Sequence, residues 1–230
     1  MIKQTVICGI CGGIGSGKTY IAQQFQLFGA AVFNADHVGH RVLLHDDVKA
    51  CLVERWGNAI LDEASEIDRS KVAALVFAQT TQAQRDREFL QAVTHPLIEE
   101  ELEVFIAESA PNVVIVDAAL LLETGWESLC HQIIFVDALD EVRWKRCQQR
   151  GWEEDEFHSR EAAQWNLSRK RSRADFIIDN NGDSQRTAEM IGNVWQAIEG
   201  SDSLHLRKTA FRNGYPLYEI IFEYFFDIRP

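Results

Sequence analysis

A glycine-rich segment near the start of the chain restricts the fold more than any other feature of the sequence. It reads Gly12-Gly13-Ile14-Gly15-Ser16-Gly17-Lys18-Thr19, in which a glycine is followed by four residues and then by glycine-lysine-threonine. The apolar, β-branched stretch 4–10 before it predicts a buried strand. Apolar residues at helical spacing follow it until Gly29 and predict a helix. A strand, this spacing and a helix together predict a phosphate-binding P-loop.

The residue types of this segment suit the chemistry of a bound nucleoside triphosphate. Glycines let the backbone approach an anion closely, and successive N–H groups then surround the phosphates. Lys18 is expected to reach the β- and γ-phosphates, and the Thr19 hydroxyl to bind Mg²⁺. The predicted ATP-binding residues are Gly13, Ile14, Gly15, Ser16, Gly17, Lys18, Thr19 and Tyr20.

Two other interpretations of the segment are disfavoured. A flexible glycine-rich turn that binds nothing does not require a strand before it and a helix after it. A dinucleotide-binding fingerprint requires a third glycine where this chain has Lys18.

Composition and charge limit the partners of such a chain. The chain has 230 residues, 46% of them hydrophobic, which suffices for one α/β domain with insertions or for two small domains. The net charge of −12 argues against nucleic acid or an anionic membrane as a partner. An anionic small molecule remains compatible with it, because a local basic pocket can form in an acidic protein.

The sequence also predicts a cytoplasmic location. It lacks the pattern of a signal peptide, and no apolar run approaches the ~18 residues of a membrane span. The five cysteines are an odd number without framework spacing, which fits a reducing compartment. The oligomeric state does not follow from these features.

Asp36 follows the second predicted strand, Ala30-Ala31-Val32-Phe33. Carboxyl ends of parallel strands face the ligand crevice, so that Asp36 is expected near the P-loop, where it meets a substrate. The same position also suits an N-cap of the next helix. The sequence leaves these two interpretations equally supported.

Residues 37–109 have a helical pattern and contain no convincing strand. Pro96, after His95, suits the first turn of one of these helices. So many helical residues between two strands exceed a simple crossover and predict an inserted helical subdomain. It either holds an acceptor substrate or covers one face of the sheet.

A fully apolar strand over 112–117 ends in Asp117, as a Walker B element does. The Asp117 carboxylate is therefore predicted to orient Mg²⁺, together with Thr19. The segment after it includes Leu120 and Glu123 and is expected to line the crevice.

Basic residues cluster after the next predicted strand, 132–136. Asp140 is expected to be the N-cap of a helix on which Arg143, Arg146 and Arg150 share one face. The cluster is either a solvated basic face or a mobile lid whose arginines close over transferring phosphates, and the P-loop favours the lid.

These motifs, taken in order, resemble the dephospho-CoA kinase family over about residues 5–198. The matching segments are the P-loop, Asn34-Ala35-Asp36, His95-Pro96-Leu97-Ile98, 117–123, Arg146 with Arg150, Arg160 with Gln164 and Lys170, and 174–182. The resemblance implies ATP-dependent phosphorylation of the ribose 3′-hydroxyl of dephospho-CoA, which is the last step of CoA biosynthesis.

The resemblance also implies roles for individual residues. Asp36 would be the catalytic base, while Lys18 and Arg146 would stabilise the transferring phosphoryl group with Mg²⁺. The acceptor-binding residues that it implies are Asp36, His95, Leu120 and Glu123.

The chain departs from the family pattern at three positions. Asn34 replaces an aspartate, Ala119 replaces the usual proline, and Glu99 stands where a basic residue is common. Two other functions therefore stay open: a P-loop kinase of another small metabolite or nucleotide, and a catalytically inactive nucleotide-binding module.

The predicted fold is α/β, with a parallel-sheet P-loop kinase core, a helical substrate-binding insertion and an arginine-bearing lid. The kinase domain is predicted over 1–200, with its core at 1–36, 110–140 and 174–200, the insertion at 37–109 and the lid at 141–173. The aromatic tail 201–230 is predicted to be a separate segment of undetermined role.

Overall fold

Five parallel strands form one sheet in the order β2-β3-β1-β4-β5. A computed structural model describes residues 5–76, 78 and 80–200. The strands are β1 Val6–Gly12, β2 Ala31–Asn34, β3 Val113–Asp117, β4 Gln132–Asp137 and β5 Phe176–Asp179. The predicted α/β fold with a parallel sheet is therefore confirmed.

The central strands are apolar on both faces because helices cover the sheet on both sides. Every residue of β1 and β3 is buried. Alternate residues of β1 enter two different cores: Cys8 and Ile10 belong to one, and Ile7 and Cys11 to the other. The P-loop consequently follows a strand that is fixed from both faces.

The helices on the two faces of the sheet come from different parts of the chain. On one face lie α1 (Lys18–Leu27) and α9 (Ser184–Glu199), whose side chains Phe25 and Trp195 join the core that contains Cys8. The opposite core receives residues from α2 Ala35–Val42, α3 Asp46–Trp56, α4 Arg69–Val76 and α5 Thr81–Ser109. These four helices lie between β2 and β3, where the sequence predicted a helical insertion.

Three further helices follow β4 and lead to β5. They are α6 Asp140–Gln148, α7 Glu154–Ala162 and α8 Leu167–Ser172. Short 3₁₀ helices occupy Asn58–Ile60 and Trp126–Leu129. None of the helices in the described ranges combines the length and apolarity needed to cross a membrane.

Two local predictions were wrong. Pro96 lies in the interior of α5, which begins at Thr81 with the Thr80 hydroxyl accepting from Ala83 N at 3.0 Å. Leu139, not Asp140, is the N-cap residue of α6. Asp140 lies instead in the first turn, where its carboxylate accepts from Arg143 at 2.6 Å. The aromatic tail 201–230 lies outside the described residues.

Candidate active site

The P-loop connects β1 to α1 and runs against α6. Gly17 is the N-cap of α1 and has φ of 94°, a left-handed conformation that favours glycine. Gly15 has φ of 73°, and a Cβ there would lie 2.5 Å from the Arg143 carbonyl oxygen. A side chain at position 15 is therefore disfavoured both by the backbone conformation and by a clash with α6.

The Lys18 ammonium group lies within the curve of the loop. Its Nζ donates to Gly12 O at 3.2 Å and to Gly13 O at 3.0 Å. Burial, assisted by the nearby Lys170, lowers the pKa of Lys18 to about 8, against the opposing effects of Asp117 and Asp36. The lysine is therefore partly stripped of water and lies close to two carboxylates, as a phosphate-binding cation between donor and acceptor would.

The Ser16 hydroxyl provides a test of whether this loop suits a bound anion. Ser16 is fully buried, and its Oγ has no hydrogen-bond partner among the described residues. An orphaned buried hydroxyl inside a phosphate-binding loop fits a polar ligand that is bound there.

Thr19 and Asp117 meet at the carboxyl edge of the sheet. The Thr19 hydroxyl donates to Asp117 Oδ2 at 2.8 Å, and Asp117 is only 5% exposed. A hydroxyl and a carboxylate are oxygen ligands of the kind that Mg²⁺ prefers, with the remaining positions left to phosphates and water. The two residues that the sequence predicted for the metal therefore lie together and fit it chemically.

The structure excludes the N-cap interpretation of Asp36. The N-cap of α2 is Asn34, whose side chain accepts from His37 N at 2.8 Å, so that Asp36 does not serve as the cap. Asp36 lies in the first turn and accepts from Ala119 N at 3.0 Å through Oδ2. Its carboxylate is thus directed towards the loop that follows Asp117.

The environment of Asp36 favours its protonated form more than water does. Partial burial is the main cause of its raised pKa, and the negative charge of Asp117 adds to it. The Ala119 N–H, Lys18 and His40 act in the opposite direction. A carboxylate with raised proton affinity next to a phosphate-binding lysine is suited to accept a proton from a hydroxyl.

Two arginines of α6 hold the outer side of the P-loop. Arg143 is 1% exposed, donates to Ile14 O at 3.1 Å and pairs with Glu161 at 2.5 Å. Arg146 donates to Gly15 O and Ser16 O at 3.3 and 3.0 Å. A merely solvated basic face is therefore excluded for these two residues, whereas Arg150 is exposed. The mobile lid stays a prediction.

A pocket of about 270 Å³ lies next to the P-loop, on the side of α9. Arg146 borders it and donates through Nη2 to Asn180 O at 2.8 Å. The buried Asn180 in turn donates to Ser16 O at 2.7 Å. The residues that line this pocket are Tyr20, Arg146, Asn180, Gly182 and Ser184. It is thus a surface formed jointly by the start of α1, by α6 and by the turn after β5.

Glu123 has partners within the protein. Its Oε1 lies 2.8 Å from Lys170 Nζ and accepts from Trp165 N at 2.9 Å. Lys170, which is 1% exposed, also donates to Gln164 Oε1 at 2.8 Å. The prediction that Glu123 binds an acceptor stays untested, but its carboxylate already joins the loop after β3 to α8.

His95 is fixed by a residue that the sequence did not single out. Trp126 Nε1 donates to His95 Nε2 at 3.0 Å, and the two rings meet edge to face. Burial lowers the pKa of His95 to about 4, so that the ring is neutral at pH 7. No periodicity or motif signals a contact between α5 and the 3₁₀ turn Trp126–Leu129. Leu120, which the resemblance also implied as an acceptor-binding residue, is half-buried in the same loop as Ala119.

This protein has a parallel α/β sheet, a P-loop after β1, a carboxylate at the end of β3 and another just after β2, which together define it as a P-loop kinase. A family model described as dephospho-CoA kinase matches residues 6–186. The chain belongs to the dephospho-CoA kinase family.

Individual relatives agree with that assignment, and a solved structure has a similar fold. The dephospho-CoA kinase of Geobacillus kaustophilus is 31% identical over 203 residues, which are 85% of this chain and 99% of that protein. The dephospho-CoA kinase of Aquifex aeolicus is 32% identical over 192 residues, covering 83% and 96%. The crystal structure of TT1252 from Thermus thermophilus is similar with a TM-score of 0.73 and 29% identity, covering 87% of this chain and 100% of that chain.

Proposed function

We propose that this chain transfers the γ-phosphoryl group of ATP to the ribose 3′-hydroxyl of dephospho-CoA, which yields CoA. The observation that carries the proposal is the arrangement of Asp36, Asp117 and Lys18 beside one another in a member of this family. It supplies a base, a metal-binding carboxylate and a phosphate-binding cation, which are the parts that phosphoryl transfer requires.

The donor site that we propose extends from the P-loop to the pocket next to α9. The backbone N–H groups of residues 13–20 and the Lys18 ammonium group bind the phosphates of ATP. The pocket of about 270 Å³ takes the adenine, with Tyr20 and Asn180 on its walls. Arg146 borders both regions, so that it positions ATP by bracing the loop and facing the nucleotide.

Mg²⁺ belongs to this proposal through Thr19 and Asp117. When bound, it supplies charge neutralisation for the phosphate oxygens of the donor. Asp117 accepts the Thr19 hydroxyl proton in a hydrogen bond, which orients the hydroxyl oxygen and leaves a lone pair for the metal.

Asp36 is the base in the proposed reaction. It accepts the proton of the 3′-hydroxyl as the oxygen of that group attacks the γ-phosphorus of ATP, and ADP leaves. Lys18 stabilises the charge that develops on the transferring group. The raised pKa of Asp36 assists this step because it increases the affinity of the carboxylate for the proton.

The acceptor lies, in this proposal, between helices α2 to α5 and the loop after Asp117. His95 lies on α5 and Leu120 in the loop after Asp117, and both are half-buried. The neutral His95 ring accepts from Trp126, so that its remaining Nδ1–H is a donor for an acceptor oxygen.

Two of the three departures from the family pattern have structural explanations. Asn34 caps α2, and the Ala119 amide binds Asp36. Glu99 is half-buried, and burial together with the neighbouring Glu103 raises its pKa. The departures at 34 and 119 therefore do not argue for a different acceptor.

The deciding experiment incubates the purified protein with Mg-ATP and dephospho-CoA and follows CoA by mass spectrometry. We expect CoA with the wild-type chain, and turnover lower by about 10²- to 10⁴-fold in Asp36→Ala, with ATP binding retained. The matched control is Asp62→Ala, an exposed carboxylate in the loop before α4. Transfer to other nucleotides or metabolites without CoA formation would contradict the acceptor, and wild-type turnover in Asp36→Ala would contradict the base.

A further inference from the structure

The Asp36 carboxylate is held from one side by a backbone amide that lies 83 residues away in the chain. Ala119 N donates to Asp36 Oδ2 at 3.0 Å. Within the described residues, this is the hydrogen bond that the side chain of Asp36 makes. Because a carboxylate has two oxygens, Oδ1 stays available for another donor.

The amide has a fixed position relative to both carboxylates of the site. Ala119 comes two residues after Asp117, and Asn34 is paired with Asp117 in the register of β2 and β3. The neighbours of Ala119 are anchored, since Ala118 is 6% exposed and Leu121 is 1% exposed. The N–H therefore cannot follow the carboxylate if Asp36 rotates.

Without this amide, the charges around Asp36 do not select one orientation. Lys18 attracts its carboxylate, and Asp117 repels it. Asp36 lies in the first turn of α2 and its side chain is only partly buried, so that several rotamers are open to it. A short hydrogen bond to a fixed donor distinguishes one rotamer from the others.

We propose that the backbone N–H of Ala119 is a positioning group for the phosphoryl transfer: it holds Oδ2 of Asp36, so that Oδ1 faces the hydroxyl of the acceptor. This inference rests on the proposed role of Asp36 as the base.

The test replaces the backbone N–H of residue 119 by an oxygen atom. Replacing the Ala119 amide by an ester, with lactic acid in place of alanine, deletes the donor and keeps the side chain. Ala119→Gly keeps the amide and is the conservative variant. We expect kcat to fall by about 10- to 100-fold in the ester variant, with the KM values for ATP and dephospho-CoA unchanged. Ala119→Gly is expected to retain kcat.

A double-mutant cycle with Asp36→Ala separates positioning from a structural effect on the loop. If the amide acts through Asp36, the ester lowers kcat in the wild-type background and has no further effect in Asp36→Ala. An equal fall in both backgrounds overturns the inference, and so does an ester variant with wild-type kcat.

The same double-mutant cycle separates a failure of the Ala119 role from a failure of the proposed role of Asp36 as the base. Low turnover in Asp36→Ala together with normal turnover in the ester variant overturns only the role of Ala119. Normal turnover in Asp36→Ala overturns the base assignment and, with it, the positioning role.

Discussion

The Thr19 hydroxyl donates to Asp117 Oδ2 over 2.8 Å, which joins the first turn of α1 to the end of β3. The two residues come from the separate halves of a P-loop site, and their contact fixes the hydroxyl before any ligand binds. In the metal site that we propose, Mg²⁺ would therefore bind an already oriented Thr19 oxygen beside the Asp117 carboxylate.

Thr19→Val removes that oxygen with little change of shape. We expect the Mg²⁺ concentration for half-maximal activity to rise by about 10- to 100-fold, because the ligand and the orienting hydrogen bond are lost together. Thr19→Ser keeps the hydroxyl and is the control. Binding of metal-free ATP, measured by calorimetry, is expected to stay unchanged. An unaltered Mg²⁺ requirement in Thr19→Val would remove Thr19 from the metal site.

Arg146 is expected to affect both stability and ATP binding. Its guanidinium donates to three backbone carbonyls, on Gly15, Ser16 and Asn180. Arg146→Ala removes this donor from the carbonyls of Gly15 and Asn180, while Ser16 O keeps its bond from the Asn180 side chain. We expect a loss of about 1.5–3 kcal/mol in the free energy of unfolding and a weaker affinity for ATP.

The matched control for Arg146 is Lys145→Ala on the same helix. Lys145 is exposed, and its side chain makes no hydrogen bond or ion pair with any residue that the structure describes. The variant loses the same charge without losing a contact. Chemical denaturation and ATP titration of both variants check the prediction, and equal behaviour of the two would refute a bracing role for Arg146.

The pair of Glu123 and Lys170 is expected to contribute to folding more than to substrate binding. Both side chains are less than 10% exposed and lie 2.8 Å apart. Lys170→Met leaves a buried carboxylate unpaired, and we expect it to cost about 3–5 kcal/mol in the free energy of unfolding. The double variant with Glu123→Leu is expected to cost less than the sum of the two single variants.

Denaturation curves and steady-state kinetics together decide the role of this pair. A Glu123→Gln variant with a raised KM for dephospho-CoA and unchanged stability would support direct contact with the acceptor instead. The structure favours the first outcome because Trp165 N also donates to the same Glu123 oxygen.

His95 is expected to reduce stability in mildly acidic solution. Burial disfavours the charged ring and lowers the pKa of His95 to about 4 in the folded protein, from the value of 6.5 that we take for the unfolded chain. As the pH falls from 6.5 to 4, the unfolded chain binds a proton at His95 and the folded protein does not. The free energy of unfolding therefore declines through that window.

His95→Gln, which does not titrate, is expected to flatten the decline in the free energy of unfolding between pH 6.5 and 4. Trp126→Phe keeps the ring packing, removes the N–H that occupies His95 Nε2, and is expected to reduce the decline partly. Thermal melts across this range measure the effect. Identical pH dependence in the wild-type chain and in His95→Gln would show that His95 does not titrate as described.

The sequence predicted those features of the protein that are formed by residues close together in the chain. The spacing of Gly12, Gly17 and Lys18 identifies the P-loop because a phosphate needs consecutive N–H groups and a lysine beside them. An apolar run that ends in Asp117 identifies a buried parallel strand and the carboxylate at its carboxyl end. Periodicity likewise located the helices between β2 and β3, although it placed Pro96 in a first turn.

Contacts between segments distant in the chain were decided only by the tertiary structure. Asp36 and Asn34 both suit an N-cap, and the backbone conformation at Asn34 determines which one serves. Asp36 accepts a hydrogen bond from the backbone N–H of Ala119. The sequence could not predict this donor, because every residue except proline has a backbone N–H. The sequence did not predict the pairing of Glu123 with Lys170, because most charged residues are exposed to solvent. These two are buried only because α8 packs against the loop after β3.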